Sequence, residues 1–192
     1  VRLNKDIITD LYSAPIVLAQ GENASSEYKP YPWVYHPLVQ PTEDHPIGSA
    51  IGNVHHRFTS SIDTLENTLK KTILLTTSNR SKRKTPPFII ALKEATQPLK
   101  PSAFNEDGMI TAVLLEGEFP SLFANRIAPF ALTAPKAVKS ARMALFSDGN
   151  IAENQLNSGE PLELGYDKWT NNLYANKSFL HNTVHYLIGE ED

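Results

Sequence analysis

Short apolar and β-branched runs, separated by Pro, Gly and polar turns, recur along this chain, and only one stretch near its end has helical spacing. Strands should therefore outnumber helices. Residues 9–19 read as a strand, with Pro15 placing it at a sheet edge or a bulge. Residues 21–26 are a polar turn. Residues 28–39 alternate aromatic side chains (Tyr28, Tyr31, Trp33, Tyr35) with Pro30, Pro32 and Pro37. Such a run is extended, and because Pro removes ladder donors it suits an edge strand. His45-Pro46-Ile47 opens a helical turn that ends near Gly52. Strands are expected at 54–65, 72–77 and 87–93, with a basic, Pro-terminated loop at 78–87 and a connector at 98–108.

Residues 109–115 form an apolar, partly β-branched run and predict a buried strand. A short helix is expected from Ser121, and the Ala- and Pro-rich 129–139 reads as a connector. Met143-Ala144-Leu145-Phe146 reads as a second buried strand, leading into the turn Ser147-Asp148-Gly149-Asn150. Asn150 suits an N-cap for a helix over 151–156, and 159–172 reads as a loop carrying Trp169. The spacing predicts a helix over 178–188. Phe179, Leu180, Thr183, Val184, Leu187 and Ile188 fall on one arc, Ser178 or Asn176 would cap it, and Gly189 would end it. No repeat is visible. The expected architecture is α/β, a mixed β-sheet with flanking helices near the C-terminal half, with α+β as the alternative.

The totals narrow the classes. The chain has 192 residues, 41% of them hydrophobic and 20% charged, enough for a single domain, 1–192, with a proper core. The net charge of −3 argues against a general nucleic-acid binder. The absence of cysteine excludes disulfides, thiolate metal sites and a Cys nucleophile. No window reaches the ~20 apolar residues of a bilayer span. The start at Val1, without Met, reads as a piece excised from a longer protein.

Several clusters bear on chemistry. Leu145-Phe146-Ser147-Asp148-Gly149 has the second Gly of a hydrolase elbow but Leu145 in place of the first. His181 or His185 could then serve as base with Asp167 orienting it. The alternative is that Ser147, Asp148 and Asn150 are turn and cap residues. His181 and His185 stand at i and i+4, yet Asn182 replaces the Glu a zinc protease needs. His55 and His56 point to opposite faces of a strand and cannot chelate one ion together. Arg80-Ser81-Lys82-Arg83-Lys84 is the one dense positive run, a solvated loop or an anion contact. No phosphate-binding or dinucleotide-binding glycine motif occurs, so no cofactor is expected. Tyr28, Tyr31, Trp33 and Tyr35 suit either an interface platform or a core.

Taken in order, several segments carry a family resemblance. They are Pro32-Trp33-Val34-Tyr35-His36-Pro37-Leu38-Val39, His45-Pro46-Ile47, Ser60-Ser61-Ile62-Asp63-Thr64 and Lys71-Thr72-Ile73-Leu74-Leu75-Thr76-Thr77-Ser78. Ala112-Val113-Leu114-Leu115-Glu116-Gly117-Glu118-Phe119-Pro120-Ser121-Leu122 follows, then Ser147-Asp148-Gly149-Asn150-Ile151, Leu164-Gly165-Tyr166-Asp167-Lys168 and Asn176-Lys177-Ser178-Phe179-Leu180. Together they resemble the gliding-motility-associated ABC transporter accessory proteins of the GldG type, and the wider set of ABC-transporter auxiliary domains. The resemblance implies a non-enzymatic domain on the periplasmic side of the inner membrane. Its parent would be anchored through segments outside this chain and would work with an ABC permease and a separate ATPase. The family is distantly similar to amidotransferase-like α/β domains, whose Cys nucleophile is missing here. Ser147, Asp148, Asn150, Asp167, Lys168, Trp33 and Tyr35 are the candidate ligand or interaction residues, with the small-molecule ligand left open.

Overall fold

The Pro- and aromatic-rich run forms one fifteen-residue strand, Glu27–Pro41, and the main sheet is organised around it. The computed structural model describes residues 1–20, 27–119 and 140–189. In chain order the strands are β1 (Arg2–Leu3), β2 (Ile7–Asp10), β3 (Ser13–Gln20), β4 (Glu27–Pro41), β5 (Val54–His55), β6 (Ile62–Asp63) and β7 (Lys70–Thr76). They continue with β8 (Ser81–Lys84), β9 (Ile110–Glu118), β10 (Ser140–Phe146), β11 (Leu156–Asn157), β12 (Glu160–Pro161), β13 (Tyr166–Asp167) and β14 (Asn172–Leu173), ahead of α1 (Asn176–Ile188). Two 3-10 turns occupy Leu92–Thr96 and Pro101–Ala103.

The main sheet runs β10-β9-β7-β4-β3, with β5 also on β4. Every described pairing is antiparallel. The mixed sheet with flanking helices is therefore reduced, among the described residues, to antiparallel ladders and one α-helix, closer to the α+β alternative. The physical reason was present in the sequence. Parallel neighbours need crossovers of a dozen or more residues, usually helical, and most links here are shorter.

β9 is the central buried strand, as its apolar run predicts. Ala112 and Leu114 face the cluster under α1 with Val39, Leu75 and Phe179, while Val113 and Leu115 pack with Ile62 on the other face. A third cluster gathers Ile7, Trp33, Val34, Tyr35 and Phe104. Phe179 is fully buried, and truncating such a side chain to Ala typically costs ~3–5 kcal/mol. Where ladders are short, buried carboxylates hold the chain by accepting backbone N–H groups. Asp6 accepts from Ser61 (2.9 Å), and Asp10 from Tyr12 (2.8 Å) and Ser78 (2.9 Å).

Pro15 sits at a register shift on the terminal strand β3, so it is at both an edge and a bulge. The pairing moves from Ser13↔Pro37 to Pro15↔Pro32. One residue separates these pairs on β3 and four on β4, so Trp33 to His36 form a bulge with three extra residues. β4 as a whole is not the edge strand expected, because its last residues pair with β5 and β7. The strand expected at 54–65 breaks into β5 and β6, with Phe58 between them at φ 54°. The basic run is strand β8 against β2, not a loop: Ser81 is buried, Arg83 lies 3.4 Å from Glu106, and Lys84 lies 3.3 Å from Glu94.

No strand forms at 87–93. That stretch is irregular and enters the first 3-10 turn. β10 is an edge strand instead of a buried one, and Met143 is exposed. Residues 151–156 turn without forming a helix, and 159–172 contains hairpin strands of β11–β12 and β13–β14. The C-terminal helix forms where expected and ends on left-handed Gly189. Its buried face is rotated, however: Asn176, Phe179, Thr183 and Tyr186 point inward, whereas Val184 and Ile188 are exposed. The expected turn at 21–26, the helix from Ser121 and the connector at 129–139 lie outside the described residues.

Candidate functional site

The bulge in β4 sends Trp33 and Tyr35 into the core and leaves His36 facing a cleft of about 400 Å³. One wall is apolar: Pro15, Ile16, Val17 and Leu18 of β3, Tyr28 of β4, and Leu92. The other end is polar and includes His36, His55, Arg57, Gln155 and Asp167, with Trp169 at the lip. Trp169 is 65% exposed. Large exposed aromatic rings beside a cleft are characteristic of binding surfaces.

The polar end is held by a web of local bonds. Arg57 N–H donates to Asp148 Oδ2 (2.7 Å), and the same carboxylate accepts Asn150 N–H at Oδ1 (2.7 Å). The Arg57 guanidinium pairs with Glu153, which also accepts from Asn150 Nδ2 (2.7 Å). Gln155 Nε2 donates to Asp167 Oδ1 (3.1 Å), while Gln155 Oε1 accepts Lys168 N–H (3.1 Å). Asp167 further accepts Trp169 N–H (3.2 Å) and Thr170 Oγ1–H (2.5 Å). Its carboxylate thus shapes the turn that presents Trp169.

Two histidines line this region, and a third, His56, directly follows His55 in sequence. The rings of His36 and His55 lie 5.2 Å apart, and Tyr174 covers His55 at 4.8 Å. Burial pushes His36 down to about 3, with the charges of His55 and Arg57 acting in the same direction. Burial lowers His55 to about 4, and Arg57 adds to the effect. His56, fully enclosed on the opposite side of the chain, falls to about 3 by burial alone. All three are neutral at pH 7 and can present one donor and one acceptor each. Nε2 of His55 and Nε2 of His56 are buried with no hydrogen-bond partner among the described residues. Burial raises the Asp148 carboxyl above its usual range, against the lowering effect of the two N–H groups it accepts.

The candidate residues thus divide into three groups. Asp148, Asn150, Asp167 and Lys168 converge around Arg57 and Gln155. Ser147 is turned away from them. Its Oγ donates to the Thr111 carbonyl (3.0 Å) and shares a hydrogen bond with Thr59 Oγ1 (2.7 Å). Trp33 and Tyr35 are core side chains, 2% and 0% exposed, and the Tyr35 hydroxyl donates to Glu94 (2.8 Å). Of the aromatic run, Tyr28 alone is both strongly exposed and part of the cleft.

Sequence reasoning missed His36, His55, Arg57 and Gln155. The one available signal was the strand alternation that sets His55 and His56 on opposite faces. His181 and His185 stack on the flank of α1 with ring centres 4.2 Å apart. Among the described residues no cluster of three or more His, Asp or Glu is placed to hold a metal ion, and no helix is long and apolar enough to cross a membrane.

An antiparallel sheet, one packed helix and an open cleft describe, among the described residues, a β-rich module. The chain belongs to the family described as an ABC-type uncharacterized transport system, whose family model matches residues 1–183. It is an auxiliary component of such a system, and this implies transporter partners. No curated protein and no solved structure matches the chain.

Proposed function

We propose that this chain is a non-enzymatic accessory domain of an ABC transport system of the gliding-motility type, and that its cleft is where it takes up a substrate or docks a partner. The observation that supports the reading is the cleft itself, about 400 Å³ with an apolar wall and a polar end, in a chain of the auxiliary family. Pockets of this size and lining suit binding. The groups around it hold and orient. Asp167 is engaged by Gln155, Trp169 and Thr170, and the Ser147 hydroxyl is bound to a carbonyl, not to a base. In this reading ATP hydrolysis belongs to a separate ATPase subunit. The domain sits on the periplasmic side of the inner membrane, and its parent protein carries the anchor.

The test is affinity purification of the full-length parent from detergent-extracted membranes, followed by mass spectrometry. A polytopic permease and a P-loop ATPase should co-purify in stoichiometric amounts. Purification of the parent alone, under conditions that keep other ABC complexes intact, would refute the accessory reading.

A further inference from the structure

The edge of β3 has a property that follows from where the prolines fall. In an antiparallel ladder, alternate residue pairs exchange both hydrogen bonds, and the pairs between them point their N–H and C=O groups away from the partner. Pro30 faces Val17 and Pro32 faces Pro15. A proline has no N–H to exchange, so these must be the non-bonded pairs. The bonded pairs are then Ile16↔Tyr31, Leu18↔Lys29 and Gln20↔Glu27. The parity turns the N–H and C=O of Val17 and Ala19, and the C=O of Pro15, outward from the sheet. β3 is the last strand of that sheet, and among the described residues nothing pairs with its outer side.

The two edges of the β3–β4 arm differ. On the outer side of β4 the parity exposes Pro30 and Pro32, which lack donors, so that edge is closed to strand pairing. The β3 edge has donors at Val17 and Ala19, spaced by roughly 7 Å as in any strand. It also has none of the usual guards, since Ser13–Gln20 contains no charged residue and its only proline is Pro15. The cleft borders this strand and reaches Tyr28 and His36 of β4. Consecutive strand residues point to opposite faces, yet Pro15, Ile16, Val17 and Leu18 all line it.

We propose that the β3 edge, from Pro15 to Ala19, takes up an extended, uncharged polypeptide segment of a partner protein as an added strand, with an apolar side chain of that segment in the cleft between Leu92 and Trp169. The occupant is a polypeptide because an extended main chain supplies the alternating acceptors and donors that Val17 and Ala19 present. It is apolar and uncharged to match a strand and wall with no charge of their own. The proposal rests on the accessory reading above and specifies how such a domain would engage its partner.

The test uses the whole 192-residue chain and a displayed library of random 12-residue peptides. The tightest selected peptide is synthesised, and its binding is read by affinity and by amide hydrogen exchange. The peptide should slow exchange at Val17 and Ala19, and Trp169→Ala should weaken it. Val17→Pro removes an outward donor without removing a ladder bond, so it should keep the melting temperature and lose about tenfold in affinity. If that variant fails to fold, the same loss is expected from wild type with a peptide N-methylated at alternate residues. Equal affinity for wild type and Val17→Pro, or a library with no binder, would overturn the proposal. So would protection of Val17 and Ala19 that rises with protein concentration without peptide, which would assign the edge to a second copy of the chain. Saturable binding of anilinonaphthalene sulfonate, lost in Trp169→Ala, with no peptide selected would overturn strand addition alone and leave a small-molecule cleft. The accessory reading stands or falls separately, on co-purification of the permease and ATPase.

Discussion

Asn176 pairs with His55 as a neighbouring strand would. Its side-chain oxygen accepts the His55 N–H at 2.9 Å, and its nitrogen donates to the His55 carbonyl at 2.9 Å and to the Ile151 carbonyl at 3.2 Å. The amide is 4% exposed and sits in the first turn of α1. The helix is thus tied to the backbone of the residue whose imidazole faces the cleft.

Replacing Asn176 should be costly. Asn176→Ala leaves a buried N–H and two carbonyls without that partner, each loss worth ~1–3 kcal/mol. A drop of about 3 kcal/mol in unfolding free energy is expected by urea titration. Asn176→Asp should also destabilise, because it keeps the acceptor and loses the donor. A loss under ~1 kcal/mol in both variants would show that the pairing contributes little.

The turn after β10 separates two neighbouring residues by role. Asp148 is 4% exposed and accepts the N–H groups of Arg57 and Asn150 at 2.7 Å each. Asn150 is exposed, and its side chain bonds Glu153 at the surface. No helix follows it, so it has no cap to provide. Asp148→Ala should therefore cost ~2–3 kcal/mol, and Asn150→Ala within ~0.5 kcal/mol. Equal melting temperatures for the two variants would count against this division.

How much of this was legible depended on how local the signal was. Pro15 announced an irregular edge because a missing donor acts wherever the strand lies. The buried strand at β9 and the C-terminal helix followed from their apolar runs. The inward face of α1 did not, because Asn176 is polar and is buried by bonds to β5, 121 residues earlier in the chain. The basic run looked like a loop because its charges hide a four-residue ladder with β2, whose partner Ile7 to Asp10 lies far away in sequence. The cleft was the least legible feature. His36, His55 and Trp169 come together through a bulge and a carboxylate-shaped turn, neither of which has a local pattern.

Gly165 joins that turn to the body of the protein. Its φ is +88°, and a Cβ there would lie 2.5 Å from the Tyr174 carbonyl oxygen. The Gly165 carbonyl accepts the Tyr174 N–H at 2.9 Å. Both the backbone conformation and the close approach require glycine. Gly165→Ala should destabilise by ~1–3 kcal/mol and raise amide exchange across β13 and β14, around Trp169. Unchanged exchange in those strands would refute the link.

Acid should loosen the fold well above the carboxylate range. His36 and His56 are lowered to about 3 and His55 to about 4, all chiefly by burial, from an ordinary 6.5. Below pH 6.5 the unfolded chain therefore binds protons that the native chain does not. Stability rises with pH when the unfolded state holds more protons, so it is complete above 6.5 and falls with acidification until the native pKa values are reached. At pH 5.5 the loss is on the order of 1 kcal/mol per histidine, enough in sum to matter for a typical domain. Asp10 and Asp148 act in the opposite sense. Burial raises both above 3.8, so the native chain binds their protons first, and that offset belongs to the acid end of the titration. The melting temperature should accordingly hold from pH 8 to 7 and fall from pH 6.5 to 5. His56 is the cleanest probe, because burial is what shifts it and its Nδ1 lies 3.3 Å from Thr59 Oγ1. His56→Gln should flatten the slope between pH 6.5 and 5 whatever it does to stability at pH 8. A wild-type melting temperature that stays level down to pH 5 would show that these histidines do not remain enclosed and neutral.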